Sequence, residues 1–330
     1  MAISSFSTRG RVKFHRGGRQ ERKIDKTWFV LALISPLLWA TCNHIDKMLL
    51  ERYFKEGGVG TLIIVSALAS VIAAPFLYVV DPSVLAVSGS NLAIISGAAM
   101  LDIVLLWAYL CAMQRDESSR VIVYYQLVPV FGLVAGWAFL GEIISKDQLV
   151  AMGIVILGTT IVSLESVEGR FRFKRRTVGF MLLACACWAA ELAIFKVVAI
   201  EENPWRTMFW KEIALMILGV LIYLFNPRYR ASFHTAMRAN SVPLLIANLL
   251  NEALYMLGTV FYGLAAMLAP VALVLLTETF QSVFVFVMAL LIARFLPKLA
   301  TECVDRTRIA IKAVAISITG LGTYMLLVAS

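Results

Sequence analysis

"LLWATCNHIDKMLL" (residues 37–50) sets His44, Asp46 and Lys47 at the end of an otherwise oily run, and "ACWAAELAIFKVV" (residues 186–198) repeats its pattern. Trp39-Ala40 and Lys47 in the first match Trp188-Ala189 and Lys196 in the second, each 149 positions apart. Asp102 and Glu252 stand 150 apart inside two further apolar runs. Another run starts near Thr61 and stops at Asp81-Pro82, and its counterpart starts near Thr207 and stops at Asn226-Pro227. Offsets that agree over three pairs of segments divide the chain into two copies.

The composition says what the copies are made of. Of 330 residues, 60% are apolar and 15% charged, and the mean hydropathy is +0.83. A soluble chain carries about 25% charged and about 45–50% apolar residues. The apolar excess falls into blocks of roughly 20 residues, the length that spans about 30 Å of hydrocarbon. Ten spans are expected, at 27–50, 60–80, 91–113, 119–141, 147–165, 177–199, 206–226, 242–267, 269–293 and 309–329. The longest polar breaks after the first 26 residues are 165–177, 226–241 and 294–308. Short alternating segments, the mark of a membrane β-barrel, do not occur. Five spans per copy is an odd number, so the second copy enters the membrane from the opposite side, the inverted repeat of secondary transporters. The expected fold is an all-α polytopic membrane protein of ten transmembrane helices in two inverted five-helix repeats. Its parts are a basic tail (1–26), a first repeat (27–165), a basic linker (166–176) and a second repeat (177–330).

The net charge of +9 does not point to nucleic acid, because eight basic residues crowd into the tail. That tail suits anionic headgroups or organelle targeting; it has no apolar stretch of its own that would make it a cleaved secretory signal. Charge leaves orientation open. The tail argues for a cytoplasmic N-terminus, which would put Arg170, Arg172, Lys174, Arg175, Arg176, Arg228 and Arg230 outside. The five cysteines form no CxxC pair, so neither a disulfide framework nor a zinc site is indicated, and no cofactor is expected.

Residues 110–165, "LCAMQRDESSRVIVYYQLVPVFGLVAGWAFLGEIISKDQLVAMGIVILGTTIVSLE", carry a recognisable pattern. Ala112 near the end of span three is followed by a Ser turn at Ser118-Ser119, Pro129 in mid-span four, Gly141-Glu142 closing that span, and Gly153 with Gly158 in span five. This resembles the second half of an EamA-type repeat of the drug/metabolite transporter superfamily, and the likeness extends over both halves. The resemblance implies ten helices, cytoplasmic termini and substrate in a central cavity. The second half departs from the pattern: Glu278-Thr279 stands where the proline would sit, and no Gly-Glu closes span nine.

An ionisable side chain at bilayer depth costs several kcal/mol unless it faces protein or water, so each is a site candidate. Asp102, Glu252, Glu278 and Glu191 lie centrally, either lining a site or making buried hydrogen bonds. Lys47 and Lys196 lie nearer helix ends, where they either snorkel or pair with Asp46, Asp102 or Glu252. His44 and Lys47, three apart, share a helix face that could border a cavity, and His44 would titrate near neutral pH. Lys211-Glu212 has no counterpart in span two, and one of the two at least must face inward. Tyr124, Tyr125 and Gln126 precede Pro129, which frees a carbonyl one turn back. Gly132 and Gly136 form a GxxxG that favours close helix approach, within the chain or between two copies. Aromatic faces with carboxylates suit an organic cation, and paired lysines suit an anion; the sequence supplies both.

These features point to a secondary transporter of a small polar or amphipathic metabolite in the cell membrane, driven by proton coupling or exchange. A lipid or lipid-linked group translocator is the alternative. No GxxxxGK[ST] loop exists to harness ATP, and no HExxH or GxSxG supports an intramembrane enzyme. The partners are the bilayer and a small molecule, with monomer or homodimer left open.

Overall fold

A computed structural model describes residues 26–53, 58–116, 118–165, 174–295 and 306–329; some side chains within these, Lys47 among them, lie outside the description. The basic tail and most of the linker 166–176 therefore fall outside the described residues. Among the described residues, ten helices are long and apolar enough to cross a membrane. They are α1 (Thr27–Tyr53), α2 (Gly58–Val80), α3 (Gly89–Arg115), α4 (118–140, in pieces), α5 (Lys146–Glu165), α6 (Arg175–Glu201), α7 (Pro204–Phe225), α8 (Pro227–Leu268), α9 (271–295, in pieces) and α10 (Arg306–Ala329). The described residues are all-α, as expected, and large apolar side chains such as Val79, Trp137 and Phe225 stand exposed on the outside.

Helix partners repeat the symmetry of the sequence. α1 packs on α8 and α3 on α6, while α2 packs on α7, α4 on α9 and α5 on α10. Exchanging each helix for the one five places along leaves this set unchanged. The pairing is consistent with inverted five-helix repeats.

Helix α4 is built in pieces: Ser118–Val123, a 3₁₀ turn Tyr124–Leu127, then Val128–Ala135 and a π-turn Gly136–Leu140. Pro129 follows the 3₁₀ turn because it has no N–H for the α ladder. Val128 N–H donates to the Tyr125 carbonyl that Pro129 cannot reach, and the Tyr124 carbonyl thereby left by Val128 is met by the Cys185 thiol of α6 at 3.5 Å. Gly141 then ends the helix at φ 66°, a left-handed cap that favours glycine.

Helix α9 is broken in the same way, Val271–Leu276, a 3₁₀ turn Thr277–Phe280, and Gln281–Phe295, with no proline inside it. Hydroxyls make the break. Thr277 Oγ1 donates to Val274 O at 2.7 Å, Thr279 Oγ1 to Leu276 O at 2.7 Å, and Ser282 Oγ to Thr279 O at 3.0 Å. Such back-bonding competes with the helix ladder and bends it. The two broken helices meet where Gly132 faces Leu275 and Ala272; a Cβ at Gly132 would stand 2.5 Å from Leu275 Cδ1.

One expected boundary differs. Residues 226–241 read as a polar break, yet α8 runs unbroken for 42 residues from Pro227. At about 1.5 Å per residue, that is twice what the hydrocarbon core requires, and the membrane-crossing part is Ile246–Leu268. Asn226 caps the start by accepting from Tyr229 N–H at 3.2 Å, and Pro227 occupies the first turn where no N–H is needed.

Candidate functional site

A mid-span lysine in a membrane helix must find carboxylates, and Lys211 of α7 finds two. Its Nζ lies 2.8 Å from Glu191 Oε1 on α6 and 3.0 Å from Asp102 Oδ2 on α3. Lys211 and Glu212 both reach the wall of one cavity of about 210 Å³. This is smaller than the roughly 300 Å³ at which drug-sized sites begin, so the space suits a small solute. Asp102 and Glu252, the repeat-matched acids, line this same cavity.

Helix α1 presents Trp39, Cys42, Asn43 and Asp46 to it. The spacing i, i+3, i+4, i+7 is one face of a helix, and that face is stitched to α8. Trp39 Nε1 donates to Tyr255 O at 3.1 Å, Cys42 Sγ to Asn251 O at 3.5 Å, and Asn251 Nδ2 to Asp46 Oδ1 at 2.8 Å. One turn earlier Ser35 Oγ donates to Gly258 O at 2.8 Å. Tyr109 OH of α3 reaches Asn43 Oδ1 at 2.7 Å.

The apolar wall is aromatic. Trp39 has Tyr262 at 5.1 Å, Trp188 at 5.5 Å and Tyr255 at 5.7 Å between ring centroids, and Tyr125 meets Trp188 at 5.5 Å. Trp39 and Trp188, the repeat-matched tryptophans, thus touch at the cavity between the two repeats.

The remaining expected residues divide. Tyr125 and Glu191 line the cavity, whereas Tyr124 and Gln126 are buried away from it. Gln126 accepts from Thr159 Oγ1 at 2.6 Å and donates to Ser163 Oγ at 3.3 Å, fastening α4 to α5. Glu278 is fully buried outside the cavity lining, beside Tyr262 of the cavity wall. His44 is exposed and does not line the cavity, and the Lys47 side chain lies outside the described residues. The lining face of α1 passes through Asn43, one position before His44, and Asp46, two positions after it. Lys196 pairs with none of the acids proposed for it. It binds Glu142 Oε1 at 2.7 Å and Ala269 O at 2.6 Å, while Glu142 Oε2 accepts from Val271 N–H at 2.7 Å. Gly136 stands under the Glu142 side chain, 2.7 Å from it if a Cβ is added.

The end of the bundle that holds Glu142 carries further ties between the repeats. Glu202 Oε1 accepts from Ser88 N–H at 3.0 Å and Asn91 Nδ2 at 2.9 Å, and Glu202 Oε2 from Arg206 Nη1 at 2.8 Å. The Ser88 backbone N–H leads in holding the Glu202 carboxyl down at about 2, with Arg206 and Asn91 adding to it. Asn203 Nδ2 donates to Asp81 Oδ2 at 2.9 Å. Ser83, donating from its hydroxyl and its backbone N–H, keeps the Asp81 carboxyl below the usual range.

Sequence reasoning named Asp46, Lys211, Glu212 and the tryptophans but could not join them. The signal present was the cost of a lysine and acids at bilayer depth; the pairing depended on how each helix is rotated. Among the described residues, no group of three or more His, Cys, Asp or Glu side chains gathers to hold a metal ion.

Residues 26–164 match the model of the EamA-like transporter family, part of the drug/metabolite transporter superfamily, which bears out the resemblance over the first repeat. No curated protein matches the chain. Among 28 matching solved chains, one described only as a crystal structure of a protein superimposes with a TM-score of 0.57 at 16% identity, over 92% of this chain and 96% of its own. That likeness is one of fold. The family indicates a membrane transporter of small molecules.

Proposed function

We propose that the chain is a secondary transporter that moves a small polar or amphipathic metabolite across the cell membrane by alternating access around the central cavity. Proton coupling or exchange drives it. The observation that carries this reading is a small cavity walled by ionisable residues of both repeats, Asp46 and Asp102 from the first, Glu191, Lys211 and Glu252 from the second. Charged groups at that depth are sustained by facing water or a solute. A cavity at the interface of repeats is where rocking of one against the other switches exposure between the two sides. Glu278, buried behind the cavity, belongs to the coupling residues in this reading, as do the cavity acids.

Counterflow in proteoliposomes tests it. Vesicles loaded with an unlabelled small solute should concentrate its labelled form only when the protein is present. A lipid-linked translocator would instead move a headgroup-labelled lipid between leaflets with no solute counterflow, and that result would replace the reading.

A further inference from the structure

We infer that the solute is an organic cation, an ammonium compound whose nitrogen sits by Asp46 and Glu252 and whose carbon body lies on the Trp39–Trp188–Tyr255 wall. This rests on the transporter reading above and names the substrate class of the same cavity.

The charge balance of the wall favours it. Among the described lining residues, the carboxylates are Asp46, Asp102, Glu191, Glu212 and Glu252, and the only cation is Lys211. Lys211 is already engaged by Asp102 and Glu191. Asp46 receives one neutral hydrogen bond, from Asn251. Glu252 lies within electrostatic reach of both Asp46 and Glu212, takes a hydrogen bond from the neutral Ser66, and among the described salt bridges has no basic partner. Carboxylates drawn together where water is scarce are stabilised by a counter-charge brought to them, and each is costly without one. Among the described lining residues an anionic solute would find no ammonium group that is not already engaged. Lys196, one of the two lysines expected to suit an anion, is held by Glu142 outside the cavity lining.

The counter-charge has organic character. A bare metal ion needs several oxygen ligands converging on one point, and no cluster of that kind forms among the described residues. The wall facing the acids is instead aromatic, with Trp39 in contact with three rings at 5.1–5.7 Å. Indole faces attract ammonium groups through their quadrupole, most strongly when water is excluded. The same rings would cover the hydrocarbon part of such a molecule, and a cavity of about 210 Å³ suits a small amine.

Three probes that share a carbon skeleton isolate the charge: phenethylamine, phenethyl alcohol and phenylacetate, with tetraethylammonium and putrescine as further cations. Binding to purified protein is read by quenching of tryptophan fluorescence, and exchange by counterflow in proteoliposomes. At least one cation should bind, and phenethylamine should bind at least about tenfold more tightly than the alcohol, the scale of one charge-assisted contact. Glu252→Gln and Asp46→Asn should each remove most of that advantage and leave the alcohol unchanged. Equal binding of amine and alcohol, preference for phenylacetate, or binding of none of the cations to monodisperse wild-type protein overturns the inference. These comparisons need no variant, so a misfolded mutant does not obscure them. Cations that bind without counterflow leave the substrate class standing and overturn the transporter reading. Counterflow of phenylacetate without cation binding does the reverse.

Discussion

Lys196 Nζ lies 2.7 Å from Glu142 Oε1 and 2.6 Å from the Ala269 carbonyl, so one ammonium fastens α6 to the end of α4 and to the turn between α8 and α9. Both side chains are largely buried, with 10% and 15% exposure. Removing one partner of such a pair leaves a charge unmet and costs up to about 3–5 kcal/mol. Lys196→Met should therefore lower the thermal midpoint in detergent markedly. Adding Glu142→Gln to Lys196→Met should cost less than the two single changes summed. Strict additivity would show that the contact contributes little.

Lys211→Met should be among the most damaging single changes in the membrane region, because it leaves Asp102 and Glu191 facing each other without their shared cation. The expected loss is again about 3–5 kcal/mol. The triple variant Lys211→Met, Asp102→Asn, Glu191→Gln should recover most of the folded yield measured by size exclusion. Failure of the triple variant to recover would mean that Lys211 stabilises by packing its stem instead.

Glu252→Gln and Asp102→Asn should each reduce counterflow by about tenfold or more while leaving expression intact, the effect of losing one charged contact. Glu201→Gln, on an exposed residue outside the cavity lining, should leave the rate unchanged. Normal rates in both cavity variants would remove these acids from the mechanism.

At the end of the bundle, the Asp81 and Glu202 carboxyls both titrate below their ordinary values in the folded chain. A carboxyl of that kind contributes stability that is fully present above its ordinary value and is lost as the pH falls through the folded one. For Glu202 the window runs from 4.5 down to about 2. Thermal unfolding midpoints should fall across that window in the wild type and fall less steeply in Glu202→Gln. Equal slopes would show that the ties from Ser88, Asn91 and Arg206 are not retained in solution.

Gly132→Val should separate α4 from α9. Its Cβ would stand 2.5 Å from Leu275 Cδ1 and 3.2 Å from Ala272 Cα, and the latter is backbone that cannot turn aside. Overpacking of this kind costs about 1–3 kcal/mol. A lowered thermal midpoint checks it; an unchanged one would show that the two broken helices are free to part.

Much of the fold was legible because hydrocarbon thickness fixes span length, and the tryptophans and lysines kept their spacing in both copies. Helix α8 was misread at its start because charge and polarity at 226–241 resemble a loop, although Asn226-Pro227 is itself a helix-initiating pair. The acids of the site were legible through the cost of burying them. Their partners were not. Whether Lys196 meets Glu142 or Asp102 depends on the rotation of α6 about its axis, and residues 54 positions apart in sequence leave no local trace of that contact. The lining face of α1 was missed by a single position, which on a helix turns a side chain by about 100°.

The two interrupted helices reach the same shape by unlike chemistry. In α4 the missing N–H of Pro129 is permanent, so that kink cannot be undone. In α9 the bend is accompanied by three side-chain hydroxyls, on Thr277, Thr279 and Ser282, that bond carbonyls three residues back, contacts made by rotatable groups. One break is thus written into the backbone and the other into side chains, so that mutation of three hydroxyls can probe the second while only the loss of Pro129 can probe the first.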